Sequence, residues 1–151
     1  MSQSRRMYLV AAGSAMAAGA FLHIAVIFGG PYWYSLLGAP AGLVAMASTD
    51  SLRPAVSCVI IAAVLVACSA YAYSGAGLIC KLPGLRAVLA LIGVGLIVRG
   101  VSFVPLVAWQ PHLLTGICGK CQEVNSFVRV TSAICLVVGA GYAAGAVRAH
   151  A

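Results

Sequence analysis

The stretch AVLALIGVGLIVRGVSFVPLVA, residues 87–108, decides the fold. It carries a single charge, Arg99, in a run that is otherwise apolar or small. A bilayer core about 30 Å thick takes roughly 20 such residues as a helix. Three more runs reach that length, over residues 8–28, 55–73 and 127–147. Composition agrees: of 151 residues 63% are hydrophobic and 7% charged, with a mean hydropathy of +1.07. Soluble domains carry roughly a quarter charged residues. Nine basic and two acidic side chains leave too little to cover a water-soluble globule of this size. The chain reads as all-α, a single domain over residues 1–151, built as an integral membrane four-helix transmembrane bundle.

Glycine and proline punctuate the spans at Gly29, Gly30 and Pro31, at residues 74–77, at Pro83 and Gly84, and at Pro111. The first span is about twice as long as a signal peptide's apolar region and contains His23, so it reads as a retained helix. Lys and Arg then set the orientation. With the N-terminus inside, Arg5, Arg6, Lys81, Arg86 and Arg148 are cytoplasmic. Arg53, Lys120 and Arg129 lie outside, the first two near Asp50 and Glu123. The expected topology is N-in, C-in, in a cell inner membrane, with the connections 29–54 and 109–125 both on the outer face. The net charge of +7 is scattered singly between apolar runs, which is no nucleic-acid footprint.

Lipid removes the hydrophobic drive between helices, so small residues must supply close backbone contact. Ala11, Ala15 and Gly19 offer this on the first helix, and Gly141 and Gly145 on the fourth. Ala63 and Ala67 serve the second, and Gly93 and Gly95 the third. These faces suit packing within one chain; pairing through Gly141 and Gly145 would make a homo-oligomer.

Arg99 is the most informative residue. Insertion scales put a mid-helix arginine at roughly +2.5 to +3.5 kcal/mol. Gly95 and Ser102 share its face, and Pro105 frees the carbonyl of Val101. Arg99 either snorkels to the interface or holds an anion. The two acids, Asp50 and Glu123, lie in connections, so no span supplies a carboxylate. That favours a ligand or a wet cavity. His23, in the outer part of the first helix, lies within a turn or two of Arg99 in depth and is expected to face the bundle with it. Tyr32, Trp33 and Tyr34 read as an aromatic belt, or as the mouth of a cavity. Arg129 reads as an interfacial anchor that would extend the positive rim if it turned inward.

The cysteines divide by environment. Cys58, Cys68 and Cys135 sit in spans as small apolar residues, and Cys80 lies on the cytoplasmic side. Cys118 and Cys121 form Cys-Gly-Lys-Cys in the outer loop, where such a pair is expected to close into a loop clip. Lys120 between them, with a helix start following, favours a thiolate and leaves redox chemistry open. One C-x-x-C does not make a zinc site, which prefers four ligands.

Residues 21–34, FLHIAVIFGGPYWY, resemble the first helix and exit of small bacterial four-helix membrane proteins grouped as a domain of unknown function. LIVRGVSFVP, residues 96–105, is similar to their third-helix arginine motif, and residues 127–136, with Ser132 and Cys135, to the start of their fourth helix. The resemblance implies a bacterial inner-membrane location and supplies no activity; the Cys-Gly-Lys-Cys pair departs from it. The layout is also similar to membrane thiol oxidases that pass electrons to a quinone. Those need a second cysteine pair, and residues 29–54 contain no cysteine.

The expected function is binding, or helping to move, a small anionic or amphipathic ligand in an outer-half cavity. Arg99, His23, Ser102, Tyr32, Trp33, Tyr34 and Arg129 are the candidate ligand-binding residues. No catalytic residue, cofactor or metal is assigned. The alternatives are a thiol–disulfide redox protein using Cys118 and Cys121, and a structural accessory subunit packed against a larger membrane partner.

Overall fold

A computed structural model describes residues 3–49, 51–114 and 116–147. Asp50 and Arg148 lie outside the described residues, as does the side chain of Arg5. The described residues are helical with no strand, and four helices are long and apolar enough to cross a membrane. This is a multi-pass membrane protein. Its helices are α1 (Gln3–Leu36), α2 (Ala41–Ala47), α3 (Arg53–Gly75), α4 (Leu85–Trp109) and α5 (Ser126–Val147), with a 3-10 turn at Pro111–Leu114.

Three of the expected spans recur within a few residues of their sequence bounds. The first is longer than its composition suggested. Gly30 breaks it with φ 69° and ψ −167°, and Pro31 restarts it through Leu36. Only glycine takes that φ cheaply, while proline is preset for a first helical turn. The connection 29–54 is likewise not loop throughout, because α2 occupies its middle. Pro54 opens α3 in the same way as Pro31 restarts α1. The Asn125 side-chain carbonyl accepts the Val128 amide at 3.1 Å and caps α5.

The helices alternate in direction and pack as two intimate pairs, α1 with α3 and α4 with α5, joined mainly through α1 and α5. Buried positions recur at steps of three, four and seven residues: Leu89, Gly93, Gly100, Phe103 and Val107 on α4, and Val128, Ser132, Gly139, Tyr142 and Ala146 on α5. Such a repeat wraps two helices slowly round each other. Backbones nearly touch on this seam. A Cβ on Gly93 would stand 2.8 Å from the Ala143 nitrogen, and one on Gly139 would stand 3.0 Å from the Gly93 carbonyl oxygen.

At the end bearing the short 76–84 connection, all four helices share a core that includes Leu9, Met16, Ala72, Leu89 and Tyr142. Two side chains tie it with interhelical hydrogen bonds. Tyr142 donates to the Cys68 carbonyl at 2.9 Å, and Ser69 to the Gly13 carbonyl at 2.9 Å. At the end bearing the long connections the pairs meet through loops instead. The Gly119 amide donates to the Gly38 carbonyl at 2.9 Å, and Lys120 Nζ to the Leu36 carbonyl at 3.0 Å. Large apolar side chains such as Phe21, Phe28, Leu91 and Val137 face outward. A helix apolar on every side suits lipid.

Candidate functional site

Helical register aims His23 and Arg99 into the bundle. His23 continues the seven-residue series of Leu9 and Met16, both buried in the shared core. Arg99 continues the series of Leu85 and Ile92, which pack against that core. The two helices are diagonal partners: the α1 and α4 backbones do not come together among the described residues, and only side chains such as Leu9 and Leu89 bridge toward each other in the shared core. Leu9 and Leu89 occupy one layer of the core. At about 1.5 Å per residue, His23 and Phe103 both stand roughly 21 Å beyond that layer. The Arg99 guanidinium lies over the Phe103 ring, 3.3 Å from its centroid. It therefore reaches toward the depth of His23.

Arg99 is incompletely satisfied. Its Nη1 is buried and finds no hydrogen-bond partner among the described residues. Ser132, only 3% exposed, leaves its hydroxyl in the same condition. Gly100, the residue after Arg99, packs against this part of α5: a Cβ on it would stand 3.0 Å from the Ser132 carbonyl oxygen. Cys135, one turn along α5, is an electrostatic neighbour of the guanidinium. On the other side Gly95, a turn before Arg99, faces open space. Buried polar groups almost always find partners. Arg99 and Ser132 are the two buried side chains on the α4–α5 pair left with an unpartnered polar atom among the described residues.

His23 opens on a different wall. Its Nδ1 donates to the Gly19 carbonyl at 2.8 Å, which leaves Nε2 as the free ring nitrogen. With Val26, Tyr34, Pro54, Ser57, Cys58, Ile61 and Ile117 it borders a cleft of about 230 Å³ at the long-loop end. Tyr34 and Cys58, both buried, line it together. Ser57 instead turns its hydroxyl back to the Arg53 carbonyl. Arg99 does not line this cleft.

The remaining candidates separate. Tyr34 is 6% exposed and faces the cleft, whereas Tyr32 is 72% exposed and Trp33 packs beside Gly29. The three aromatics do not form one mouth. Ser102 is exposed and donates to the Val98 carbonyl at 2.6 Å, and Arg129 is exposed at the start of α5. Cys118 and Cys121 form a disulfide, and both are buried with Phe103, Val107, Leu114 and Val128. No three His, Cys, Asp or Glu residues come together as a metal-binding group among the described residues.

Sequence reading missed Phe103 as the seat of Arg99, although its position four residues on was a usable signal. It also missed the Ser132 orphan, because only the pairing of α4 with α5 buries that hydroxyl. The meeting of Tyr34, Cys58 and Ile117 at one cleft had no signal, since these residues are distant in the chain. Against known families, curated proteins and solved structures, this chain finds no match.

Proposed function

We propose that this is a bacterial inner-membrane protein, N-in and C-in, that binds or helps move a small anionic or amphipathic ligand in the outer half of its bundle. One observation carries the reading: Arg99 Nη1 is buried and without a hydrogen-bond partner among the described residues, in a chain whose spans contain no carboxylate. The Phe103 ring offsets some of the charge, since a desolvated cation–π contact is worth about 2 kcal/mol. A ring face accepts no in-plane N–H, so the fork still lacks an acceptor. A carboxylate or phosphate supplies two oxygens in the geometry a guanidinium prefers. Arg99 is the anion anchor in this reading, with the orphaned Ser132 hydroxyl on the helix packed against it, while His23 serves the separate cleft. The orientation rests on Arg6, Lys81 and Arg86 at the short-loop end.

The test compares wild type with Arg99→Met and Arg99→Lys in nanodiscs, challenged with oleate, dodecyl phosphate and a short-chain phosphatidic acid. A ligand that binds only the folded state raises its thermal midpoint by mass action. At least one probe should stabilise wild type, do less for Arg99→Lys, which lacks the planar fork, and nothing for Arg99→Met. Equal stabilisation of wild type and Arg99→Met removes Arg99 from the site.

A second reading, a structural subunit or homo-oligomer, is favoured by a separate feature. Ala11, Ala12, Ala15, Ala140, Gly141 and Ala144 line a groove of about 520 Å³ between α1 and α5, a surface on which another helix could approach closely. Thiol–disulfide catalysis has less support, because both cysteines of the pair are buried.

A further inference from the structure

We propose that the Cys-Gly-Lys-Cys turn is a thiol-sensitive clasp that holds the His23–Tyr34–Cys58 cleft closed. The proposal is independent of any ligand at Arg99. Ile117, which lines the cleft, directly precedes Cys118. Across from it, Leu37, Gly38 and Ala39 line the same cleft from the α1–α2 link. The turn between the cysteines grips that link from above. Its Gly119 amide donates to the Gly38 carbonyl at 2.9 Å, and Lys120 Nζ donates to the Leu36 carbonyl at 3.0 Å. Lys120 also sits 5.7 Å from the Phe127 ring centroid, and that ring packs against Gly38. Gly119 lies so close to the Ala39 carbonyl oxygen that any side chain there would collide with backbone. The disulfide, with Cα atoms 5.4 Å apart, closes the turn into the shape that makes this grip.

Opening the clasp needs a dithiol donor. One donor thiolate attacks a sulfur of the Cys118–Cys121 bond and forms a mixed disulfide, releasing the other sulfur, which takes a proton. The second donor thiolate then displaces the first cysteine. The donor leaves as its disulfide, and the protein retains two thiols. Freed of the covalent tie, residues 118–121 lose their fixed turn, and Ile117 with them. Burial of Cys121, only 1% exposed, makes the clasp slow to open.

Cys58 reports the state of the cleft, because it lines the cleft and is a free thiol. The experiment measures its labelling rate with methyl methanethiosulfonate in detergent, residue by residue, by peptide mass spectrometry. Oxidised wild type is compared with wild type reduced by dithiothreitol and freed of reductant, and with Gly119→Ala, which leaves the disulfide in place. The expected result is at least a tenfold faster reaction of Cys58 in both, with Cys68 and Cys135 unchanged. An unchanged Cys58 rate after confirmed reduction overturns the proposal. So does a common acceleration of Cys58, Cys68 and Cys135, which marks general loosening, or a disulfide that excess dithiothreitol cannot reduce in the folded protein.

Discussion

Replacing Gly93 with alanine tests whether backbone contact between α4 and α5 holds the bundle together. The new Cβ would stand 2.8 Å from the Ala143 nitrogen and 3.2 Å from its Cα, and these are backbone atoms that cannot rotate away. Restoring ordinary contact requires the helices to part by about 0.6 Å, and a gap of about 0.5–1 Å forfeits a quarter to a half of each contact's dispersion energy. Overpacking of this kind costs about 1–3 kcal/mol. Alanine also carries a helix-propensity gain of about 0.8–1 kcal/mol over glycine. Gly95→Ala isolates that gain, because a Cβ at Gly95 meets nothing within 4 Å. Thermal unfolding in one detergent, followed by circular dichroism, should place Gly95→Ala at or above wild type and Gly93→Ala below it. The propensity gain is common to both, so the overpacking cost of about 1–3 kcal/mol, at about 2–4 °C per kcal/mol, should separate the two midpoints by roughly 2–12 °C. Gly139→Ala should behave like Gly93→Ala. The double variant should cost less than the sum, since one separation accommodates both methyl groups. Indistinguishable midpoints for Gly93→Ala and Gly95→Ala would refute the reasoning.

Tyr142→Phe removes the bond to the Cys68 carbonyl that ties α5 to α3. It should cost about 0.6 kcal/mol, and at most about 1.7 kcal/mol, by denaturant titration in micelles. Topology is checked at Cys80, an exposed free thiol on the 76–84 connection. An impermeant maleimide should label it in inverted vesicles and leave it unlabelled in intact cells. Arg129→Gln, at an exposed position that does not line the cleft, should leave stabilisation by the anionic probes unchanged within error. A loss there would bring Arg129 into the site. Ser69→Ala, which deletes the bond from α3 to the Gly13 carbonyl, should lower stability by about as much as Tyr142→Phe.

Membrane residence and the positions of the spans were legible in the residues alone. In lipid a segment must satisfy its own backbone, so length and hydropathy suffice to locate a helix. The Cys118–Cys121 pairing was legible too, because a separation of three residues keeps the partners local. Arg99 stood out because a charge in a span is costly wherever its neighbours lie. The continuation of α1 past Gly30 was hidden, since glycine followed by proline ends one helix and begins the next equally well. The pairing of α1 with α3 and α4 with α5 came only from the tertiary structure. The helices are apolar on all sides, so composition does not reveal which face meets protein and which meets lipid. Tertiary packing buries the Ser132 hydroxyl, turns His23 toward a cleft that Arg99 does not line, and brings Ile117 to the same cleft as Cys58. Span positions follow from the chemistry of each segment with its solvent, whereas the site depends on contacts between segments far apart in the chain.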